Sequence, residues 1–132
     1  MNRNTPPKRI NLIRKHLDSY QYAIRGIRLA FRSEHNMSVH LAAALAVVLV
    51  NSLLSVTKTE WLITLMLIGM VWMAEIFNTA IEKLADRVTK EQDPLIGQAK
   101  DLASGAVLII CGFAVICAII IYLPYLLHFV TG

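Results

Sequence analysis

The sequence predicts an all-α membrane protein, with an N-terminal amphipathic surface helix followed by three transmembrane helices. Three observations carry this prediction. Hydrophobic residues make up 56% of the 132 and charged residues only 17%, whereas an ordinary soluble domain has roughly 45–50% and about 25%. A soluble monomer of this length has too little interior to hide so much apolar surface. The apolar residues gather into three long runs, and the charge is segregated: residues 1–32 carry eight Lys and Arg against Asp18 alone, ahead of a mildly acidic remainder. The length is that of one domain, too short for a nucleotide-binding domain and a separate catalytic one. Six Gly, four Pro and two Cys exclude a collagen-like repeat, disorder and a disulfide-stapled secreted scaffold. Cys111 and Cys117, inside an apolar run, match no metal or redox spacing and read as packing residues.

The first element is a surface helix over about residues 8–32. Ile13, Leu17, Tyr20, Ile24, Ile27 and Phe31 recur in steps of four and three, which is one helical stripe. Arg14, Lys15, Arg25, Arg28 and Arg32 fill the other sides. Such a helix lies in a membrane interface with its stripe in the acyl boundary and its cations among anionic headgroups. A plain surface helix packed on its neighbours has the same pattern. Nucleic acid is not an expected partner, because no reading motif or aromatic stacking platform accompanies the basic residues. No signal peptide is expected either, since no apolar core follows the first charges.

The first span covers about residues 37–56, where His40, Asn51 and a few serines are the only interruptions; some twenty residues cross a hydrocarbon core roughly 30 Å thick. A polar link, Thr57 to Glu60, turns the chain. The second run is uncharged only from Trp61 to Ala74, too short to cross alone, so the span continues through Glu75 to about Ile81. The third, about residues 102–127, contains no charge. Asp93-Pro94 reads as its helix start, with Asp as N-cap and Pro at the first helical position, and Pro124 falls near its end. Gly105, Gly112, Ala114 and Ala118 give small surfaces for close helix approach. The basic arm and the Lys83–Lys100 segment flank the same side, and the tail beyond residue 127 has no Lys or Arg. The positive-inside rule therefore puts the N-terminus in the cytoplasm and the C-terminus outside.

The chemistry is expected on the second span. Glu75, Asn78, Thr79, Glu82 and Asp86 fall at i, i+3, i+4, i+7 and i+11, all on one helical stripe. An ionisable residue inside a span costs about 2.5–3.5 kcal/mol on insertion scales and marks a functional site by default. Glu75 lies fourteen residues from Trp61, about 21 Å along a helix. That is near the cytoplasmic edge of the core, where a lipid hydroxyl sits. A carboxylate there suits a general base and equally a proton carrier. Glu82, two turns on, and Glu34, at the end of the surface helix, stand at headgroup level, where two carboxylates can share Mg²⁺ and its phosphates. Together these describe phosphoryl transfer to a lipid alcohol. Three alternatives fit the same residues: Glu75 as a hydrogen-bonded carboxylate in a structural bundle, Glu75 as the carrier of a small proton-coupled transporter or channel subunit, and Glu82, Asp86, Lys100 and Asp101 as ordinary interfacial charges. Gly97-Gln98-Ala99-Lys100 lacks the upstream glycine of a P-loop, so no motif specifies ATP.

Two blocks add a resemblance. Ala74-Glu75-Ile76-Phe77-Asn78-Thr79-Ala80-Ile81-Glu82-Lys83-Leu84-Ala85-Asp86 resembles the signature of the prokaryotic diacylglycerol kinase and undecaprenol kinase family. Gly97-Gln98-Ala99-Lys100-Asp101-Leu102-Ala103-Ser104-Gly105-Ala106 resembles that family's second block, at the family's spacing. The resemblance runs from about Arg14 to Tyr122. It implies a small three-span bacterial inner-membrane lipid kinase, assembled as a homotrimer with sites composite between subunits, using ATP as co-substrate and Mg²⁺ as cofactor. It implies Glu75 as catalytic base and Glu34 and Glu82 as metal ligands at the ATP phosphates. Lys15, Tyr22, Asn78, Glu91, Asp93, Lys100 and Asp101 become nucleotide-site residues, while the segment from Asn36 to His40, with Ser104, faces the lipid. A histidine at His40 is more similar to the undecaprenol kinase branch than to the diacylglycerol branch, where an acid is usual. His35 departs from the basic residue that the family resemblance implies at that position.

Overall fold

The computed structural model describes residues 12–33, 35–89, 91 and 93–131, and among these all the regular structure is helical. The helices are α1 (Leu12–Ser33), α2 (His35–Leu54), α3 (Lys58–Val88) and α4 (Pro94–Thr131). The chain divides into two units, Met1–Ser33 and Glu34–Gly132. In the first, α1 leaves Leu17, Tyr20, Ile24 and Ile27 of the apolar stripe exposed. Residues 8–11 of the expected surface helix lie outside the described residues.

In the second unit, α2, α3 and α4 are each long and apolar enough to cross a membrane, and the protein is a multi-pass membrane protein. At 1.5 Å per residue α2 is about 30 Å long, α3 about 46 Å and α4 about 57 Å. Only α2 matches a hydrocarbon core of roughly 30 Å; α3 and α4 are long enough to carry polar ends beyond it.

Local chemistry sets the boundaries. α2 ends where Ser55 takes a left-handed φ of 51° and the Val56 amide donates to the Asn51 carbonyl at 3.2 Å, a left-handed C-terminal cap. A capping box opens α3: the Glu60 amide donates to Thr57 Oγ1 at 3.4 Å while Glu60 Oε2 accepts from the Thr57 amide at 2.7 Å. By composition Thr57–Glu60 is a polar link. The reciprocal Thr-x-x-Glu cap instead satisfies the first amides of a helix that begins at Lys58. Asp93 caps α4 as its position before Pro94 predicts, its Oδ1 accepting from the amides of Leu95 at 2.8 Å and Ile96 at 3.2 Å.

α3 packs chiefly on α4 and less on α2. The buried apolar residues of this unit are few and mostly small or medium, among them Ala44, Val71, Ala85 and Ala103, whereas Leu62, Phe77, Leu108 and Ile120 are exposed. That is the pattern of helices whose outer faces meet lipid or other helices rather than a thick protein core.

Candidate active site

The stripe on α3 grades from buried to exposed along its length. Glu75, Asn78 and Thr79 are buried, Glu82 is half-buried and Asp86 is exposed. The gradient follows the packing of α2 and α4 on α3, which covers the deepest carboxylate with protein and leaves the outermost open.

The partners of the stripe come from the neighbouring helices. His40 on α2 brings its Nε2 to 3.9 Å from Glu75 Oε2. Asn78 Nδ2 donates to Glu82 Oε1 at 3.2 Å, orienting that carboxylate along the same helix face. From α4, the Ser104 hydroxyl lies 3.4 Å from Asn78 Oδ1 and 3.0 Å from the Lys100 carbonyl. The shorter contact is the firmer hydrogen bond. Lys100 Nζ pairs with Asp86 Oδ1 at 2.9 Å across the α3–α4 turn. Two partly exposed groups in such a pair contribute little to stability, but the pair holds one ammonium beside the acidic end of the stripe.

Beyond this pair lies a depression of about 660 Å³ at the α3–α4 turn. Asp86, Glu91, Asp93, Gly97 and Lys100 are among its lining residues. The carboxylates of Asp86, Glu91 and Asp93 suit hydroxyl and amine donors, and the Lys100 ammonium suits an anion. Among the described residues no three His, Cys, Asp or Glu side chains converge on a common point as a metal cage. Mg²⁺ held through phosphates needs only one or two carboxylates and keeps several waters. The carboxylate of Glu82, oriented by Asn78, has the hard oxygen chemistry for that role.

The expected site residues thus distribute unevenly. Glu75, Asn78, Glu82, His40, Ser104 and Lys100 are linked through α2, α3 and α4, and Glu91 and Asp93 line the adjoining depression. Asn36 is exposed on α2, one turn before His40. Asp101 is exposed and lines a shallow groove with Gln98, Leu102 and Gly105, away from this cluster. Lys15 and Tyr22 are exposed on α1, two turns apart, with the Arg25 guanidinium 5.8 Å from the Tyr22 ring centroid. Glu34 lies outside the described residues.

Sequence reasoning missed two pairings. The one between Asp86 and Lys100 was signalled by their flanking of the 89–93 turn, where helices folding back bring such positions together. The one between His40 and Glu75 joins two helices and leaves no mark in either helix's periodicity. A second polar cluster occupies the opposite end of the helices. Asn51, with no exposed surface, donates to Thr64 Oγ1 at 2.8 Å and accepts from the Tyr122 hydroxyl at 2.7 Å, while the Tyr125 hydroxyl donates to Glu60 Oε2 at 2.8 Å.

The same stretch of chain is shared with known proteins. Residues 21–122 match the family described as prokaryotic diacylglycerol kinase. The chain is 42% identical to undecaprenol kinase of Bacillus subtilis (strain 168) over 119 residues, which are 88% of this chain and 94% of that protein. It is 34% identical to diacylglycerol kinase of Escherichia coli (strain K12) over 99 residues, 75% of this chain and 78% of that one. Against diacylglycerol kinase of Haemophilus influenzae it is 29% identical over 93 residues, 70% of this chain and 79% of that one. Glu75, Asn78, Glu82, Lys100 and Ser104 all fall within the matched residues, and the chain belongs to the prokaryotic diacylglycerol kinase family, a family of lipid kinases.

Proposed function

We propose that the protein transfers the γ-phosphoryl group of ATP to the hydroxyl of undecaprenol at the cytoplasmic face of the bacterial inner membrane, with Mg²⁺ as cofactor and the homotrimer as the working unit. The observation that carries this reading is the placement of Glu75. It is a buried carboxylate, 2% exposed, at the deep end of a polar stripe that leads through Asn78 and Glu82 toward Lys100 in the depression at the α3–α4 turn. Undecaprenol is favoured over diacylglycerol by the higher identity to the undecaprenol kinase and its nearly complete coverage.

In this reading Glu75 takes the hydroxyl proton as the lipid oxygen attacks phosphorus, which makes the oxygen a competent nucleophile at a depth where bulk water does not compete. Glu82, aligned by Asn78, and Lys100 hold the phosphate end of the nucleotide. Glu91 and Asp93 accept from its hydroxyl and amine donors. Mg²⁺, when bound, neutralises charge on the phosphates. Glu34 and Asp101 complete the nucleotide side, and Asn36 and Ser104 contact the lipid. Lys15 and Tyr22 on α1 bring the basic arm to the polyanion, with the apolar stripe of α1 in the membrane interface. The clustering of Lys and Arg before residue 33 and around the α3–α4 turn supports a cytoplasmic N-terminus. Trimer formation is supported by the exposed apolar faces and by Gly105 and Gly112, where an added Cβ meets nothing within 4 Å, leaving room for a neighbouring helix.

The test is direct. Purified protein in bilayers is given labelled ATP with undecaprenol or diacylglycerol, and the label is expected in undecaprenyl phosphate. Label in phosphatidic acid alone would reassign the substrate, and label in neither lipid would end the kinase reading.

A further inference from the structure

A buried base that removes a proton in every cycle must lose that proton before the next, and Glu75, at 2% exposure, has almost no contact with solvent. His40 offers a way out. Its Nε2 stands 3.9 Å from Glu75 Oε2, and its side chain is 18% exposed against 3% for Glu75. The imidazole lines one end of an apolar groove of about 210 Å³ between α2, α3 and α4. Among the described residues, the titratable groups around it are Glu75 from α3, Cys111 from α4 in the same groove, and Tyr122 at the groove's far end. On α2 itself, His35 lies five residues earlier and is exposed. Of these, only an imidazole both accepts a proton from a carboxylic acid and releases it to water near neutral pH. Hydrogen-bond reach is about 2.6–3.2 Å, and catalytic contacts often tighten only when substrate binds, so a small side-chain rotation closes the gap.

We propose that His40 relays to water the proton that Glu75 takes from the lipid hydroxyl. The proposal rests on the kinase reading above. In the first step the lipid O–H bond breaks, its proton goes to Glu75, the lipid oxygen bonds to the γ-phosphorus, and the bond from phosphorus to the β-γ bridging oxygen breaks with its electron pair leaving on ADP. In the second, the Glu75 O–H bond breaks and a bond from the proton to His40 Nε2 forms, leaving a carboxylate and an imidazolium. In the third, the imidazolium loses its other ring proton, at Nδ1, to water, and tautomer exchange readies the ring for the next cycle. The net result is one proton released per phosphoryl group transferred. His40 is thus a relay residue acting through Glu75, distinct from a residue that only contacts lipid.

The test uses the full chain in bilayers with labelled ATP and undecaprenol, comparing the unmodified protein with His40→Gln and His40→Ala. The relay predicts that His40→Gln lowers kcat by about a hundredfold, within the range for a lost proton-transfer group, while KM for ATP and for undecaprenol stays within about twofold. Imidazole added to the buffer is expected to restore part of the rate of His40→Ala and to leave the unmodified protein unchanged. Should His40→Ala fail to fold, the kcat and KM of His40→Gln decide the matter. A kcat within about threefold of the unmodified protein overturns the relay, as does a loss carried by KM for undecaprenol alone, which is the signature of a lipid contact. No transfer by the unmodified protein overturns the kinase reading and the relay together, whereas transfer with an unimpaired His40→Gln overturns the relay alone.

Discussion

Glu75 shows what a single residue costs and what it is kept for. A carboxylate within a span is disfavoured by about 2.5–3.5 kcal/mol on insertion scales, and here an imidazole, His40, stands 3.9 Å from it. An alanine or leucine would make a more stable helix, so retention of the acid points to chemistry. Glu75→Gln keeps the shape and removes the basicity. Turnover is expected to fall by about 10²–10⁴-fold while the nucleotide still raises the melting temperature, since the groups that hold it lie a turn or more away. Activity within tenfold of the unmodified protein would remove Glu75 from the base role. Lys100 makes the opposite case. Its pairing with Asp86 involves side chains 39% and 69% exposed, and such surface pairs contribute about 0–1 kcal/mol. Lys100→Met is therefore expected to leave the melting temperature nearly unchanged and to raise KM for ATP by about tenfold, the loss of one charge-assisted contact. Titrating ATP at saturating lipid measures this, and an unchanged KM would take Lys100 out of the nucleotide site.

Among the elements, the caps and the polar cluster opposite the active site define the helices' ends. Asn51, fully buried, uses its amide nitrogen on Thr64 and its oxygen on Tyr122, so one side chain ties α2 to both α3 and α4. Asn51→Ala removes the acceptor of the Tyr122 hydroxyl and one donor to Thr64, whose hydroxyl keeps the Glu60 and Trp61 carbonyls, and it opens a small cavity. Interhelical hydrogen bonds in membranes average about 0.6 kcal/mol and reach about 1.7, so losing two is expected to lower stability by about 1–3 kcal/mol. The cluster lies eleven residues from His40 along α2, about 16 Å, so kcat of the folded variant should be unchanged; a fall in kcat with no change in melting temperature would contradict this separation. The sequence was legible here wherever a signal lies within one element. Asp93-Pro94 announced the start of α4, and the spacing of Glu75, Asn78, Thr79, Glu82 and Asp86 announced one face of α3. The Thr57-x-x-Glu60 cap is the same class of signal, but its polar residues also satisfy the description of a link, and only reciprocal hydrogen bonding distinguishes the two. Tyr122 to Asn51 and His40 to Glu75 join residues on different helices, and periodicity within a helix carries no information about which rotation its neighbour adopts.

At the scale of the whole molecule, the described helices bury a small share of their large apolar side chains within one chain. Among the described lining residues of the depression at the α3–α4 turn, Lys100 is accompanied by Asp86, Glu91 and Asp93, while most of the chain's cations precede residue 33. A site completed across a subunit boundary would bring those cations to the phosphates, and a closed cyclic trimer would repeat the same heterologous contact three times. That arrangement makes a quantitative prediction. Two variants are prepared, Glu75→Gln, and a double variant of α1, Lys15→Glu with Tyr22→Ala, each expected to be nearly inactive alone. Mixed in equal amounts, dissociated and reassembled at random, about three quarters of the trimers contain both variants. Each of those has one site in which an intact α3 meets an intact α1 from its neighbour, so about one quarter of the full activity should return. If each chain built its whole site from its own residues, every site in the mixture would carry a defect and no activity would return. Recovery near a quarter therefore establishes the composite site, and recovery no greater than the sum of the two variants alone would show that a single chain contains it.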